Sequence, residues 1–353
     1  MKVPFVDLVA QWAPLKNDIL ADWEDILNTA GFVGGARLEN FEAELAEFCG
    51  TDYAVGVSDG TAALVAILRA LDIGPGDKVG VQAETFIATA YAVKQVGAEV
   101  VLLDPYKTHV GNIKDLKAFI IVHMYGGVQQ DKCRTLKHLT KACGCYLIED
   151  ACQAIGCEGV GEYGVATAFS FYPAKNLGCA GQGGAVITND QAMSIQIRQY
   201  INQGWIGNGL HAAEGGNNRL DPIQAAILSR GLKELPKWND RRREIGAMYT
   251  RAFENNDWVT VLDPLNDCVY HLYPIYLNTP SERDALSQYL KDHEIANARH
   301  YPMAISQQQG FRTPGFEKLE GYLSCHLTLP IFPTMTDKEV KYVIKTVLDW
   351  SQE

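Results

Sequence analysis

The sequence predicts an α/β protein, with a large domain built on a mostly parallel central sheet over residues 1–240 and a small α+β C-terminal domain over 241–353. Three observations lead there. Short segments rich in Val and Ile (YAVGV, KVGVQA, EVVLLD, AFIIVHMYG, CYLIED) alternate with stretches of helical period, the rhythm of strands joined by crossover helices. Polar residues gather where those strands end, at Ser58 to Thr61, Glu84 to Phe86, His123 to Gly126 and Asp150 to Gln153. The carboxyl ends of strands form the ligand rim in open α/β sheets. From Trp258 onward the alternation gives way to an antiparallel-looking pattern.

Taken in order, the chain opens with an extended VPFVDL and a helix marked by Leu15, Ile19, Leu20, Trp23, Ile26 and Leu27, which ends in the glycines of GFVGGAR. A second helix, Leu38 to Phe48, closes at Gly50. YAVGV then runs directly into a helix over Ala62 to Leu71, so that Ser58 to Thr61 form a strand-to-helix turn. Its unpaired N–H groups and hydroxyls suit an anion, and equally an ordinary cap by Ser58 or Asp59. Further helices are expected over Phe86 to Gln95 and Cys133 to Cys143, a strand over Ala168 to Tyr172, and another at AVITND followed by a helix with Ile195, Ile197 and Tyr200. Gln203 to Gly216 reads as a long functional loop. Leu220 to Phe253 reads as a helix interrupted at Pro236. Beyond it come a strand CVYHLYPIYL, a helix SERDALSQYLKDH, a strand IANARHYP, and a closing helix capped by Thr336.

Composition excludes several classes. With 353 residues, 47% hydrophobic and 21% charged, the chain can bury a substantial core. A net charge of -11 argues against a nucleic-acid surface, and the run Arg241 to Arg243, flanked by Asp240 and Glu244, reads as a solvated helix face. The nine cysteines are scattered without a CxxC pair, which supports neither a disulfide framework nor a zinc site. Reduced thiols, the absence of a long apolar run and the unremarkable start point to the cytoplasm, with no membrane partner and no metal.

Lys175 has an unusual setting. It follows an aromatic strand and precedes the glycines 178, 181, 183 and 184, with apolar Ala174 and Leu177 beside it. An amine held near apolar surface loses part of its preference for charge, and the neutral amine attacks carbonyls. The glycines would let a ligand approach the backbone. Asp150, at the end of a buried strand, needs a cationic partner if it is desolvated. Pyridoxal 5′-phosphate meets all these requirements. Its phosphate would sit at the Ser58 to Thr61 turn with Ser170, its ring nitrogen on Asp150, its aldehyde on Lys175, and Phe86 stacked on its ring. Taken singly, Asp150 reads equally as a helix cap and Phe86 as a core aromatic.

The joint pattern VPFVDL, FEAELAEFCG, SDGTAAL, GPGDKV, ETFIATA, VHMYG, IEDACQAIG, FSFYPAKNLG, GNNRLDPIQAAIL, HYP and LPIFPTMTDKEV resembles the DegT/DnrJ/EryC1/StrS sugar aminotransferases, a fold type I group dependent on pyridoxal phosphate. The resemblance implies that Lys175 binds the aldehyde and serves as general base, and that Asp150 holds the pyridinium proton. It implies that Gln153 contacts the ring oxygen region, that Phe86 stacks, and that Gly60, Thr61 and Ser170 contact the phosphate. Asn217 would reach the phosphate from a partner subunit, making the active form a homodimer. The implied reaction moves an amino group from L-glutamate to a nucleotide-linked keto-6-deoxy sugar. RLDPIQAAIL with the WNDRRREI helix leans toward the 3-position over the 4-position. Lysine at 175, where dehydratase members carry histidine, points to transamination.

Gln182 stands where the family's GxGG bend carries an acidic residue, which keeps a regulatory, non-catalytic cofactor binder as the second reading. The interval from Asp104 to Ala118 is shorter than in the family. His300 and Tyr301 of HYP are expected at the sugar site, His123 is expected to be a packed strand-end residue, and His271 to be structural.

Overall fold

The computed structural model describes residues 1–106, 113–211, 214–261 and 267–350, so part of the short Asp104 to Ala118 interval lies outside the described residues. The arm carries α1 (Leu8–Trp12), capped by the Asp7 carboxylate on the Ala10 N–H at 2.9 Å, and is followed by α2 (Lys16–Thr29) and α3 (Ala36–Cys49). Then come β1 (Tyr53–Val57), α4 (Gly60–Ala70), β2 (Lys78–Gln82), α5 (Ile87–Gln95), β3 (Glu99–Leu103), β4 (Ala118–Val122), α6 (Gln130–Cys143), β5 (Tyr146–Asp150), β6 (Ala166–Ser170), β7 (Gly184–Thr188) and α7 (Gln191–Ile201). The remainder comprises a hairpin of β8 (Trp205–Gly207) and β9 (Leu210–His211), α8 (Pro222–Phe253), β10 (Val259–Val261), β11 (Tyr273–Leu277), α9 (Pro280–Asp292), α10 (Glu317–Ser324), β12 (His326–Leu329) and α11 (Asp337–Trp350).

Seven strands form the main sheet in the order β1-β7-β6-β5-β4-β2-β3. The five from β6 to β3 pair in parallel, whereas β7 runs antiparallel to both β1 and β6. Both faces are covered. Consecutive residues go to opposite cores, Ile121, Leu147, Phe169 and Ile187 to one, and Ile120, Ile148, Ala168 and Val186 to the other. That two-sided burial is why these strands read as unbroken apolar runs. A third core lies between α8, α9, α11 and the antiparallel sheet β10-β11-β12.

Helix α8 runs through Pro236 without a break. Its first half packs Ala225, Leu228, Leu232 and Leu235 into one core, and its second half packs Ile245, Tyr249 and Phe253 into the third. Burial at both ends outweighs the lost backbone bond, a cost of about 3 kcal/mol. The division expected at residue 240 falls inside this helix. The expected solvated arginine face is also corrected. Arg242 is buried, donating to the carbonyls of Ile331 at 2.9 Å and Tyr270 at 3.1 Å, and burial pushes its guanidinium down to about 9. Arg241 pairs with Asp337 and Arg243 with Asp267.

Two further expectations change. Residues 268–272 do not extend β11 but bond sideways to the turn after β4, Val269 N–H to Gly126 O at 2.8 Å. IANARHYP is not a strand: Ile295 bridges Val3 and Ala298 bridges Thr328, and the chain then turns inward at His300. The expected loop at 203–216 contains the β8–β9 hairpin, with Trp205, Ile206 and Leu210 exposed.

Candidate active site

The strand ends meet at one cavity of about 510 Å³. Its lining includes Gly60, Thr61, Phe86, Asp150, Gln153, Ser170, Lys175, His300 and Tyr301, nine of the ten residues expected at the site. The tenth, Asn217, is exposed, bridges Asn202, and lies outside this cavity. The rule that ligands sit beyond the carboxyl ends of strands explains the convergence.

Helix α4 starts at the cavity. Asp59 is its cap, accepting from the Ala62 N–H at 2.8 Å, while Ser58 donates to the same carboxylate at 3.1 Å. The N–H groups of Gly60 and Thr61 have no carbonyl a turn before them, so the helix presents donors and its positive end to the cavity. Capping by Asp59 therefore does not exclude an anion at the same helix start.

Asp150 ends β5 and is 5% exposed. Its carboxylate accepts from Thr89 Oγ1 at 2.8 Å and the Cys152 N–H at 3.2 Å, and it makes no ion pair among the described residues. Thr89, in the first turn of α5, follows Thr85 by four residues, and the two hydroxyls are 3.0 Å apart. That pair was legible in ETFIATA as an i, i+4 repeat, although nothing in the sequence linked it to Asp150.

Lys175 lies half-buried in the cavity, and its Nζ makes no hydrogen bond or ion pair to the described residues. Burial lowers its pKa, against the opposing pull of Cys152 and Asp150. His271 and His300 face the same space. Burial and the nearby Lys175 amine hold His271 well below the ordinary histidine value and bring His300 to about 4. Both imidazoles are thus neutral at pH 7. His271, expected to be structural, lines the cavity while also meeting Asn176 Oδ1 at 3.3 Å.

Two of the glycines around Lys175, Gly178 and Gly184, serve the chain itself. A Cβ at Gly178 would lie 2.3 Å from the Pro173 carbonyl oxygen, and one at Gly184 would lie 2.5 Å from the Asp59 carbonyl carbon. They fold the lysine turn on itself and bring the start of β7 against the start of α4.

Phe86 and Tyr301 form one wall, ring centroids 5.4 Å apart at 37°, with Phe86 52% exposed. Tyr301 OH accepts from Gln153 Nε2 at 3.1 Å, while Gln153 Oε1 accepts from the Tyr125 N–H at 2.7 Å. His300 stacks on Phe5 and contacts Thr328 Oγ1 at 3.1 Å. Phe5, Val6, Thr85, Thr89, Cys152 and Tyr172 complete parts of the lining that motif spacing did not single out. His123, by contrast, is buried and bonds Glu149 at 2.8 Å, the packed strand-end residue expected. Among the described residues no His/Cys/Asp/Glu group could hold a metal ion, and no helix is long and apolar enough to cross a membrane.

An unpaired amine of lowered pKa, a carboxylate without a cation and a helix start aimed into one cavity suit pyridoxal phosphate in charge and in kind. They define the class: a pyridoxal-phosphate-dependent aminotransferase of the α/β, fold type I architecture. The family model for DegT/DnrJ/EryC1/StrS aminotransferases matches residues 14–348, and the chain belongs to that family.

Among its relatives, a UDP-N-acetyl-3-dehydro-α-D-glucosamine 3-aminotransferase from Acidithiobacillus ferrooxidans is 37% identical, covering 98% of this chain and 97% of that protein. A dTDP-3-amino-3,4,6-trideoxy-α-D-glucose transaminase from Streptomyces venezuelae is 34% identical, covering 99% and 97%. A pleiotropic regulatory protein from Geobacillus stearothermophilus is 33% identical, covering 99% of each. The crystal structure of S. venezuelae DesV with a ketimine intermediate superposes with a TM-score of 0.93 at 34% identity, covering 100% of this chain and 99% of that one. NtdA from Bacillus subtilis, with bound PMP, also gives 0.93 at 27% identity, covering 100% and 86%.

Proposed function

We propose that this sugar aminotransferase moves the amino group of L-glutamate to a nucleotide-linked keto-6-deoxy sugar, at the sugar's 3-position. The carrying observation is that Lys175, Asp150 and the first turn of α4 all line one cavity. The relatives named for 3-amino and 3-keto sugars support the position. Pyridoxal phosphate supplies an aldehyde that takes up the amino group and a ring that accommodates the electron pair left when the donor carbon loses its proton.

The chain's own residues do the rest. Lys175 Nζ would hold the aldehyde at rest, and its amine, whose pKa burial lowers, would carry the proton once released. Asp150, oriented by Thr89 and the Cys152 N–H, keeps a proton on the ring nitrogen. Gly60, Thr61 and Ser170 would hold the phosphate, Phe86 would cover the ring, and Gln153 would reach its oxygen side. His300 and Tyr301 line the sugar side. Asn217, exposed and outside its own chain's cavity, serves the second copy in a homodimer. All nine cysteines are unpaired, which supports a reducing cytoplasm.

Amination at the 4-position is the alternative within the same chemistry. A regulatory reading has the Geobacillus relative's name behind it, but the Lys175 amine, lowered in pKa and without a partner among the described residues, weighs against lost catalysis. The test is product analysis with L-glutamate and a panel of dTDP- and UDP-linked 3-keto and 4-keto sugars. A 3-amino product is expected; a 4-amino product overturns the position, and no product with any acceptor overturns the substrate class.

A further inference from the structure

We infer that Glu84 and Tyr125 are positioning residues for the sugar half of the reaction, seating the His300–Tyr301 segment against Phe86. The inference rests on the proposed role of that segment. Tyr125 occupies a left-handed backbone conformation, φ 61°, in the turn after β4, and is 6% exposed. Its hydroxyl lies 2.9 Å from Glu84 Oε1 and 3.1 Å from the carbonyl oxygen of His300. Its N–H holds Gln153, which in turn holds the Tyr301 hydroxyl. Tyr301 leans on Phe86, two residues from Glu84. A closed circuit therefore starts and ends on the short connection between β2 and α5, and clasps the inward turn of the C-terminal part at two points, one backbone and one side chain.

The contact to His300 has a proton count. The tyrosine hydroxyl carries one hydrogen and faces the Glu84 carboxyl and the His300 carbonyl, with the Tyr276 hydroxyl also beside it. If the Glu84 carboxyl is protonated it donates to Tyr125, and Tyr125 is left to donate to the His300 carbonyl, so all three groups are satisfied. Glu84 is 4% exposed, and burial raises its pKa against the lowering by Tyr106, Tyr125 and Lys132, with Asp104 adding to the rise. Glutamine at this position has both a donor and an acceptor and reproduces the satisfied arrangement. Alanine does not.

The experiment compares the cofactor-loaded chain with Tyr125→Phe, Glu84→Ala and Glu84→Gln. Amide exchange of residues 299–304 should quicken roughly tenfold in the first two and return to within about twofold of the parent in the third, the size expected for one neutral hydrogen bond. The half-reaction with L-glutamate, followed by cofactor absorbance, should change less than about twofold in all. The half-reaction with dTDP-3-amino-3,6-dideoxygalactose should slow roughly tenfold in Tyr125→Phe and Glu84→Ala and recover in Glu84→Gln. Unchanged exchange in Tyr125→Phe, equal slowing of both half-reactions, or a Glu84→Gln variant as impaired as Glu84→Ala overturns the inference. An inert parent with the amino sugar counts against the proposed substrate instead, and the exchange data then decide the positioning role alone.

Discussion

Glu149 and Asp150 are neighbours on β5, both buried, and they point to opposite faces of the sheet. Glu149 accepts from His123 at 2.8 Å and from the N–H groups of Gly161, Tyr163 and Gly164 at 3.0, 2.9 and 2.6 Å. Although burial works against its charge, those donors hold its pKa below the ordinary glutamate value. Asp150 has two donors and a cavity in front of it. A carboxylate whose lone pairs are all taken by the chain fixes the loop that follows it. One left partly unmet, beside an amine that is also unmet, is arranged for something the chain does not itself contain.

That contrast can be broken from either side. Asp150→Asn should slow transamination about a thousandfold, roughly 4 kcal/mol on the barrier, while shifting unfolding of the cofactor-free protein by less than about 1 kcal/mol. Steady-state rates and denaturant melts check this; a large stability loss would place Asp150 with Glu149 as scaffold. Glu149→Ala strands His123 and three backbone donors, and should cost about 3 kcal/mol of stability in urea unfolding. Thr89→Val removes one of the two donors on Asp150 and should lower turnover by up to about tenfold, roughly 1 kcal/mol, with little change in the melting midpoint.

The smallest effect concerns pH. Because the folded pKa of Glu149 is depressed, its contribution is present above the unfolded value, about 4.3, and is lost as pH falls through the folded value. Glu149→Gln should flatten the acid limb of the stability curve there. His300 and His326, both brought to about 4, act higher, since the unfolded chain takes up protons first between about 6.5 and 4. Stability should fall across that window in the parent and in Glu149→Gln alike, which a pH series of melts can separate.

Much of the sheet and the rim was legible, because parallel strands buried on both faces leave long apolar runs and their ends collect polar residues. Lys175, Asp150, Gly60, Thr61, Phe86, Gln153 and Ser170 could be named from motif order and do share a cavity. What escaped depends on partners distant in sequence. Arg242 looks solvated beside Asp240 and Glu244 until the carbonyls of Tyr270 and Ile331 are seen to surround it. Pro236 signals a break that two cores override. The lysine turn's glycines suggest room for a ligand, but Pro173 and Asp59 fill it. HYP reads as a strand, yet its residues turn inward, where Tyr125 and Gln153 hold them.

Everything proposed for this cavity requires that its Lys175 amine be the one that bonds pyridoxal phosphate. Borohydride reduction of the cofactor-loaded protein followed by peptide mass mapping tests it directly. A single phosphopyridoxyl adduct on Lys175, absent from Lys175→Ala, is expected; an adduct on any other lysine, or none, contradicts that bond.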